Sequence, residues 1–302
     1  MRVVYGWKNL SPDDRGACVA LGNFDGVHRG HQSVIALAAE AARGAGAPLG
    51  VISFEPHPRR IFQPDAPAFR LMSPDQLARA LAGLGVDILY VLPFDPEMAN
   101  LSDRAFAEQV LSQGLGVRHV SVGFDISFGK GRTGSPQIMR AYGDELGFGV
   151  SVAEPVGAAG EKFSSTQVRE ALREGRPDAA AEILGRPFAI EGMVEHGRKL
   201  GRTLGFPTAN VALGDYVTPR FGVYATRTRL PDGRTLGGVA NIGVNPTVDG
   251  ETAARLEVWL FDFDEDIYDQ VIETDLIRFI RDEQKFPSLE VMTAQVMRDA
   301  AA

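Results

Sequence analysis

The sequence predicts an α/β domain on a mostly parallel sheet, followed by a smaller antiparallel β domain that closes with a helix. Three observations predict it. From residue 17 to about 184, short apolar runs alternate with segments of helical spacing, the pattern of repeated βα units. Beyond that point glycine or proline recurs every few residues among short runs of strand character. At the end, "SLEVMTAQVMRDAAA" returns to helical spacing through Leu289, Met292, Val296 and Ala300. A boundary near residue 185 divides the 302 residues into domains 1–184 and 185–302, each large enough to bury its own core.

In chain order, "ACVALG", "PLGVISF", "DILYVLP", "RHVSVG" and "GVSVAEPV" are the strands of the first domain, rich in branched and aromatic side chains. "HQSVIALAAEAARGAG", "SPDQLARALAGLG", "SDRAFAEQVLSQGLG" and "SPQIMRAYGDELGFG" are its helices, with Ser, Pro or Gly near their ends and spacings such as Leu77, Leu81 and Leu84. In such sheets, ligands sit at the carboxyl ends of the strands. The second domain offers "GFPTANVAL", "GVYATRTRL", "LGGVANIGV" and "ARLEVWLFDF" as strands of a barrel or sandwich, with an Asp-Gly turn in "RLPDGRTL".

A chain 44% hydrophobic and 23% charged is ordinary for a globular protein, and a net charge of -8 argues against a general binder of nucleic acid. One cysteine, Cys18, excludes an intramolecular disulfide and a cysteine-rich metal knuckle. The start lacks the apolar core of a signal peptide, and no long uninterrupted apolar run follows. A cytoplasmic chain without membrane contact is expected.

Chemistry concentrates in two stretches. In "GNFDGVHRGH", Gly22 ends the first strand, and Gly26 and Gly30 let the backbone turn tightly before a helix that begins near Arg29 to His31. Free N–H groups at that helix start make an anion site, to which His28 and His31 add donors and positive charge. A metal pair and a simple helix cap are the competing readings; no acidic or cysteine partner lies at metal-ligand spacing. Later, "FSSTQVREAL" places Ser164, Ser165 and Thr166 at another helix start, with Arg169 one turn in, a set able to hold a triphosphate.

In "HGRKLGRTLGFPTAN", Gly197, Gly201 and Gly205 recur every four residues among Arg198, Lys199 and Arg202, a basic loop able to close over phosphates but not a Walker loop. Thr208 and Asn210 alternate on one strand face and offer hard neutral oxygens to Mg²⁺, although such a pair also suits a solvent-facing strand. In "ARLEVWLFDFD", Leu256, Val258 and Leu260 alternate against Glu257, Trp259 and Phe261, so Glu257 faces away from the aliphatic side, toward water or a site.

The His-x-Gly-His and Ser-Ser-Thr-x-x-Arg motifs together resemble the nucleotidylyltransferase superfamily. Nearly the whole chain resembles the bacterial bifunctional riboflavin kinase/FMN adenylyltransferase (FAD synthetase) family, through "GNFDGVHRGHQ", "FEPHP", "VGFDISFGKGRTG" and "FSSTQVREAL", then "GRTLGFPTANV", "FGVYA", "GVANIGVNPT", "LFDFDEDIYDQ" and "FIRDEQKFPSLE". The resemblance implies a Rossmann-like N-terminal domain that adenylylates FMN with ATP and a C-terminal β-barrel that phosphorylates riboflavin. It makes His28, His31, Arg169 and Glu257 catalytic, with Glu257 the base for the ribityl hydroxyl and Thr208 and Asn210 the Mg²⁺ ligands. Gly22, Asn23, Phe24, Asp25, Gly26, Asp125, Ser164, Ser165, Thr166, Gly201, Arg202, Gly205, Pro207 and Asn241 then bind ATP and flavin. Two departures stand out: Val258-Trp259 where many members have Thr-His, and Tyr268-Asp269 where many have Tyr-Gly. Small molecules, not nucleic acid or membrane, are the expected partners of a monomer or weak homo-oligomer. The alternatives are a transferase for another phosphate ester with a passive flavin-binding barrel, and a non-catalytic flavin sensor.

Overall fold

The computed structural model describes residues 1–158, 161–196, 206–246 and 252–301. By contact the chain divides into two compact units, Met1–Ala66 with Pro74–Ser164, and Pro67–Ser73 with Ser165–Ala302.

The first unit is built on six parallel strands, β1 (Arg2–Tyr5), β2 (Cys18–Leu21), β3 (Leu49–Glu55), β4 (Ile88–Pro93), β5 (His119–Gly123) and β6 (Gly149–Ala153), in the order β1-β4-β3-β2-β5-β6. The order reverses between β2 and β5, so the crevice of this α/β sheet opens at the ends of those two strands. All of β2 is buried, as expected of a parallel strand covered on both faces. Helix α1 (Arg29–Ala45) turns Val34, Ile35, Ala38 and Ala42 inward and stops at Gly46, whose φ of 57° is left-handed. Helices α2 (Pro58–Phe62), α3 (Pro74–Gly83), α4 (Pro96–Asn100), α5 (Asp103–Ala105) and α6 (Pro136–Leu146) complete the layers.

Two features differ from the sequence expectation. The segment "SDRAFAEQVLSQGLG" runs as α5 and then as a π-helix over Phe106–Gly114, which buries Phe106, Ala107, Val110 and Leu111. β1, unread in the sequence, joins the sheet edge beside β4 although Tyr5 is 77% exposed. A short hairpin, β7 (Gly157–Ala158) and β8 (Glu161–Lys162), precedes Ser164.

The second unit contains helices α7 (Ser165–Arg173) and α8 (Pro177–Leu184) and strands β9 (Phe188–Met193), β10 (Thr208–Ala212), β11 (Gly222–Arg229), β12 (Thr235–Pro246), β13 (Thr252–Leu260) and β14 (Val271–Arg281). The antiparallel order is β10-β13-β12-β11-β14-β9, and the two edges approach at a Glu195–Asn210 bridge, which gives the sheet its barrel curvature. Val168, Leu172, Ala180 and Leu184 share one core with Phe188, Val211, Leu256 and Val258. Contact therefore divides the chain at Ser164/Ser165, while helical periodicity gives way to strands near residue 185. The turn in "RLPDGRTL" spans five residues between Arg229 and Thr235, with Gly233 left-handed at φ 89°.

The closing helix α9 (Leu289–Ala300) leaves Leu289 half exposed. Its anchor is polar: Asp299, 4% exposed, accepts from Arg281 Nε and Nη2 at 2.7–3.1 Å and from Gln295 Nε2 at 2.8 Å.

Candidate functional site

In the first unit the chain leaves β2 through a tight turn. Phe24 (φ 47°), Gly26 (φ 88°) and Val27 (φ 43°) are all left-handed, and Val27 N–H closes on Phe24 carbonyl at 3.0 Å. A β-branched residue there is strained, a cost typical of chain held in place for a ligand. Asn23 is exposed at the tip of the turn, while Phe24 and Asp25 are buried within it. The turn delivers His28 to the N-cap of α1, where Nδ1 accepts the His31 N–H at 3.2 Å. The two imidazoles stack, centroids 3.6 Å apart, and Phe24 lies 5.1 Å from His31.

The cap reading of His28 therefore holds, and its geometry is compatible with the phosphate reading. A ring whose Nδ1 accepts from the backbone carries its proton on Nε2, so the capped His28 is a neutral Nε2–H donor; making it a cation would forfeit the cap. Gly30 has a steric role: a Cβ there would stand 3.0 Å from His28 Cε1 and 3.1 Å from Nδ1. The His-x-Gly-His spacing thus follows from folding one imidazole over the first helical turn. Among the described residues no cluster of three His, Cys, Asp or Glu side chains is poised for a metal.

Two cavities meet at this turn. One, of about 250 Å³, is lined by Gly22, Phe24, His28, His31, Asp125 and Ser164 and also by Lys162. No motif in the sequence singles out Lys162. Its ammonium pairs with Asp125 and lies 5.0 Å over the Phe124 ring, so it adds a positive charge to the lining of the same cavity. The other cavity, of about 950 Å³, is walled by Phe54, Phe62, Phe94, Phe106 and Phe128 and rimmed by Arg59, Lys130 and Arg132. Leu21, Gly22, Asp125 and Ile126 line both. An aromatic slot with cations at its rim suits a planar ring system that carries a phosphate.

Ser165, Thr166 and Arg169 belong to the second unit. Arg169 is 7% exposed; its Nε donates to Phe69 carbonyl at 2.7 Å, and its guanidinium lies 5.6 Å from the Phe69 ring.

In the barrel the site is a row rather than a turn. β13 pairs with β10 so that Asn210 stands opposite Glu257, and with β12 so that Glu257 stands opposite Asn241. Directly opposed residues share a face, and Leu256, Val258 and Leu260 fill the core on the other. The alternation read from the sequence holds. Asn210 Nδ2 donates weakly to Thr208 carbonyl (3.4 Å), and its Oδ1 accepts no hydrogen bond among the described residues. Thr208 and Pro207 edge a small cleft of about 40 Å³ with Glu265, Asp266 and Tyr268. Gly201, Arg202 and Gly205 lie outside the described residues.

Both departures from the family pattern have a structural expression. Trp259 packs against Phe206 (5.8 Å) and Phe261 (5.3 Å). Asp269 is left-handed at φ 58°, the conformation that a glycine adopts without strain.

Comparison with known proteins matches the FAD synthetase family to residues 10–167 and the riboflavin kinase family to residues 184–302. A bifunctional riboflavin kinase/FMN adenylyltransferase of Pseudomonas fluorescens is 44% identical, covering 100% of this chain and 96% of its own length. The Escherichia coli K12 enzyme of the same name is 41% identical over 99% of this chain and 96% of its own. A crystal structure of a Streptococcus pneumoniae protein called a macrolide-efflux protein has the same fold, with a TM-score of 0.88 and 32% identity, covering 99% of this chain and 97% of that one. No helix among the described residues here is long and apolar enough to cross a membrane.

Proposed function

The chain belongs to the bifunctional riboflavin kinase/FMN adenylyltransferase family; it phosphorylates riboflavin to FMN and adenylylates FMN to FAD, and we propose that the two reactions run at the two sites described above. Adenylyl transfer belongs to residues 1–184 and phosphoryl transfer to residues 185–302. The observation that carries this reading is the pair of arrangements suited to phosphate chemistry, the histidine-capped helix start with its cavities in the first unit and the row of Asn210, Glu257 and Asn241 on the sheet of the second.

For adenylyl transfer, the 950 Å³ aromatic groove takes the flavin and the smaller cavity the ATP phosphates. An oxygen of the FMN phosphate attacks the α-phosphorus of ATP, and pyrophosphate leaves. His28 Nε2–H, the Arg29 and Gly30 N–H groups that open α1, His31 and Lys162 stabilise the charge that grows on the phosphate oxygens. Ser164, Ser165, Thr166 and Arg169 are assigned to the triphosphate on their motif, and Asn23 and Asp125 to placing ATP and the flavin phosphate.

For phosphoryl transfer, the ribityl 5′-hydroxyl attacks the γ-phosphorus, ADP leaves, and Glu257 takes the hydroxyl proton. A carboxylate suffices, because the step needs placement and a late proton acceptor more than a strong base. Thr208 and Asn210 fit Mg²⁺: both are neutral oxygen donors on one face, with Asn210 Oδ1 uncommitted within the described chain, and this ion takes few protein ligands when phosphates supply the rest. Held there, the ion would supply positive charge to offset that of the ATP phosphates. The enzyme acts on small molecules in the cytoplasm, as a monomer or weak homo-oligomer.

The test follows conversion of riboflavin by the purified chain with ATP across a Mg²⁺ titration, separating the flavins. Wild type yields FMN and then FAD. Asn210→Ala raises the Mg²⁺ needed for FMN formation about tenfold and leaves the requirement for FMN-to-FAD conversion where it was. An equal shift in both steps overturns the metal assignment.

A further inference from the structure

The geometry points to Glu283 as a positioning residue for riboflavin phosphorylation, one that holds the side-chain amide of Asn241 in place beside Glu257. This rests on the reading of Glu257 as the base. Asn241 Nδ2 donates to Glu283 Oε1 at 3.0 Å, and Asn241 stands directly opposite Glu257 in the β12–β13 pair. An asparagine amide can turn either end toward a neighbour. A carboxylate accepts only, so it takes the N–H end and turns Oδ1 the other way. The bond is charge-assisted and stronger than one between neutral groups.

The chain makes room for this carboxylate. Gly243 lies two residues beyond Asn241, on the same face of β12. A Cβ on Gly243 would come 2.1 Å from Glu283 Oε1 and 3.1 Å from Asn241 Nδ2. Its φ lies outside the left-handed range, so glycine is required there for space rather than for backbone freedom. The residues before Glu283 are fixed: Arg220 grips both oxygens of Asp282 at 2.8 Å, and Arg281 is held by Asp299. Glu283 itself is solvent-exposed, so burial in a core does not account for where it sits.

The experiment measures riboflavin kinase kcat and KM on the full chain for Glu283→Ala, Glu283→Gln, Gly243→Ala and Glu257→Gln, with melting temperature and FMN adenylylation as checks on folding. Glu283→Ala is expected to lower kcat about tenfold, the size of one charged hydrogen bond, with KM for ATP unchanged. Glu283→Gln keeps an acceptor oxygen and restores most of the rate. Gly243→Ala, whose methyl pushes the carboxylate aside, reproduces the Glu283→Ala defect with Glu283 still in the sequence. The inference is overturned if Glu283→Ala turns over at the wild-type rate, if Glu283→Gln is as slow as Glu283→Ala, or if the defect appears only in KM. Should Glu257→Gln keep full kinase activity, the reading of the base fails first and takes the inference with it. Should Glu257→Gln be inactive and Glu283→Ala unimpaired, the inference fails alone.

Discussion

On the proposed reading the two units solve one problem, holding phosphates beside a flavin, with opposite means. The first uses irregular backbone: the left-handed Phe24, Gly26 and Val27, a helix start and an imidazole that caps it. The second uses regular backbone, with Asn210, Glu257 and Asn241 brought into one row by strand pairing alone. The difference shows where each site is vulnerable. Turn geometry fails when a backbone angle is disturbed, whereas a row on a sheet fails when a single side chain is lost.

The largest expected effect is an exchange of losses. His31→Ala lowers FMN adenylylation by roughly 10²–10³-fold and spares riboflavin phosphorylation; Glu257→Ala does the reverse. Flavin chromatography reads both, and loss of both activities in either variant would break the division into independent sites. Next comes the anchor of α9. Asp299→Ala leaves Arg281 partly buried without its partner and is expected to destabilise the second unit by about 3 kcal/mol, seen in denaturant unfolding. A smaller effect tests the turn: Gly26→Ala forces a Cβ into φ 88° and costs about 1–2 kcal/mol, with slower adenylylation and an undiminished kinase step. A change at an ordinary strand position of β10–β13 carries no such backbone cost.

The smallest effect concerns pH. His119, hydrogen-bonded to Ser151 Oγ at 2.9 Å, is held below the usual imidazole range by burial. Its unfolded form binds the proton more readily, so stability is present above the unfolded pKa and is lost as pH falls through the lower folded one. His119→Gln should flatten that acid limb below about pH 6.5, measured by unfolding at several pH values. An unchanged slope would mean that the lost stability comes from elsewhere.

Much of this was legible in the sequence, and the exceptions have physical causes. Alternation placed Glu257 opposite the aliphatic face, because period two needs only neighbouring residues. It could not place Asn241 and Asn210 on either side of Glu257, since register is a property of paired strands. The FSSTQVREAL motif marked the start of α7 but not its allegiance, because a capped helix start does not say which core covers the helix. β1 escaped notice because Val3 and Tyr5 face outward. The His-x-Gly-His motif announced an anion site, yet that His28 spends Nδ1 on the cap is visible only once α1 is built. Lys162 was overlooked as a lone lysine in a short hairpin.

The row of Asn210, Glu257 and Asn241 also bears on how the enzyme comes to life. A slip of one residue in β13 would turn Glu257 into the core and Val258 onto the working face. The cap between His28 and His31 forms within a single helical turn, but the row exists only after β13 has paired with β12, its neighbour in sequence, and with β10, two strands further back, and that long-range pairing is the slow one to assemble. During refolding, kinase activity is thus a clock for correct strand register, one that starts only when β10, β13 and β12 have found their alignment.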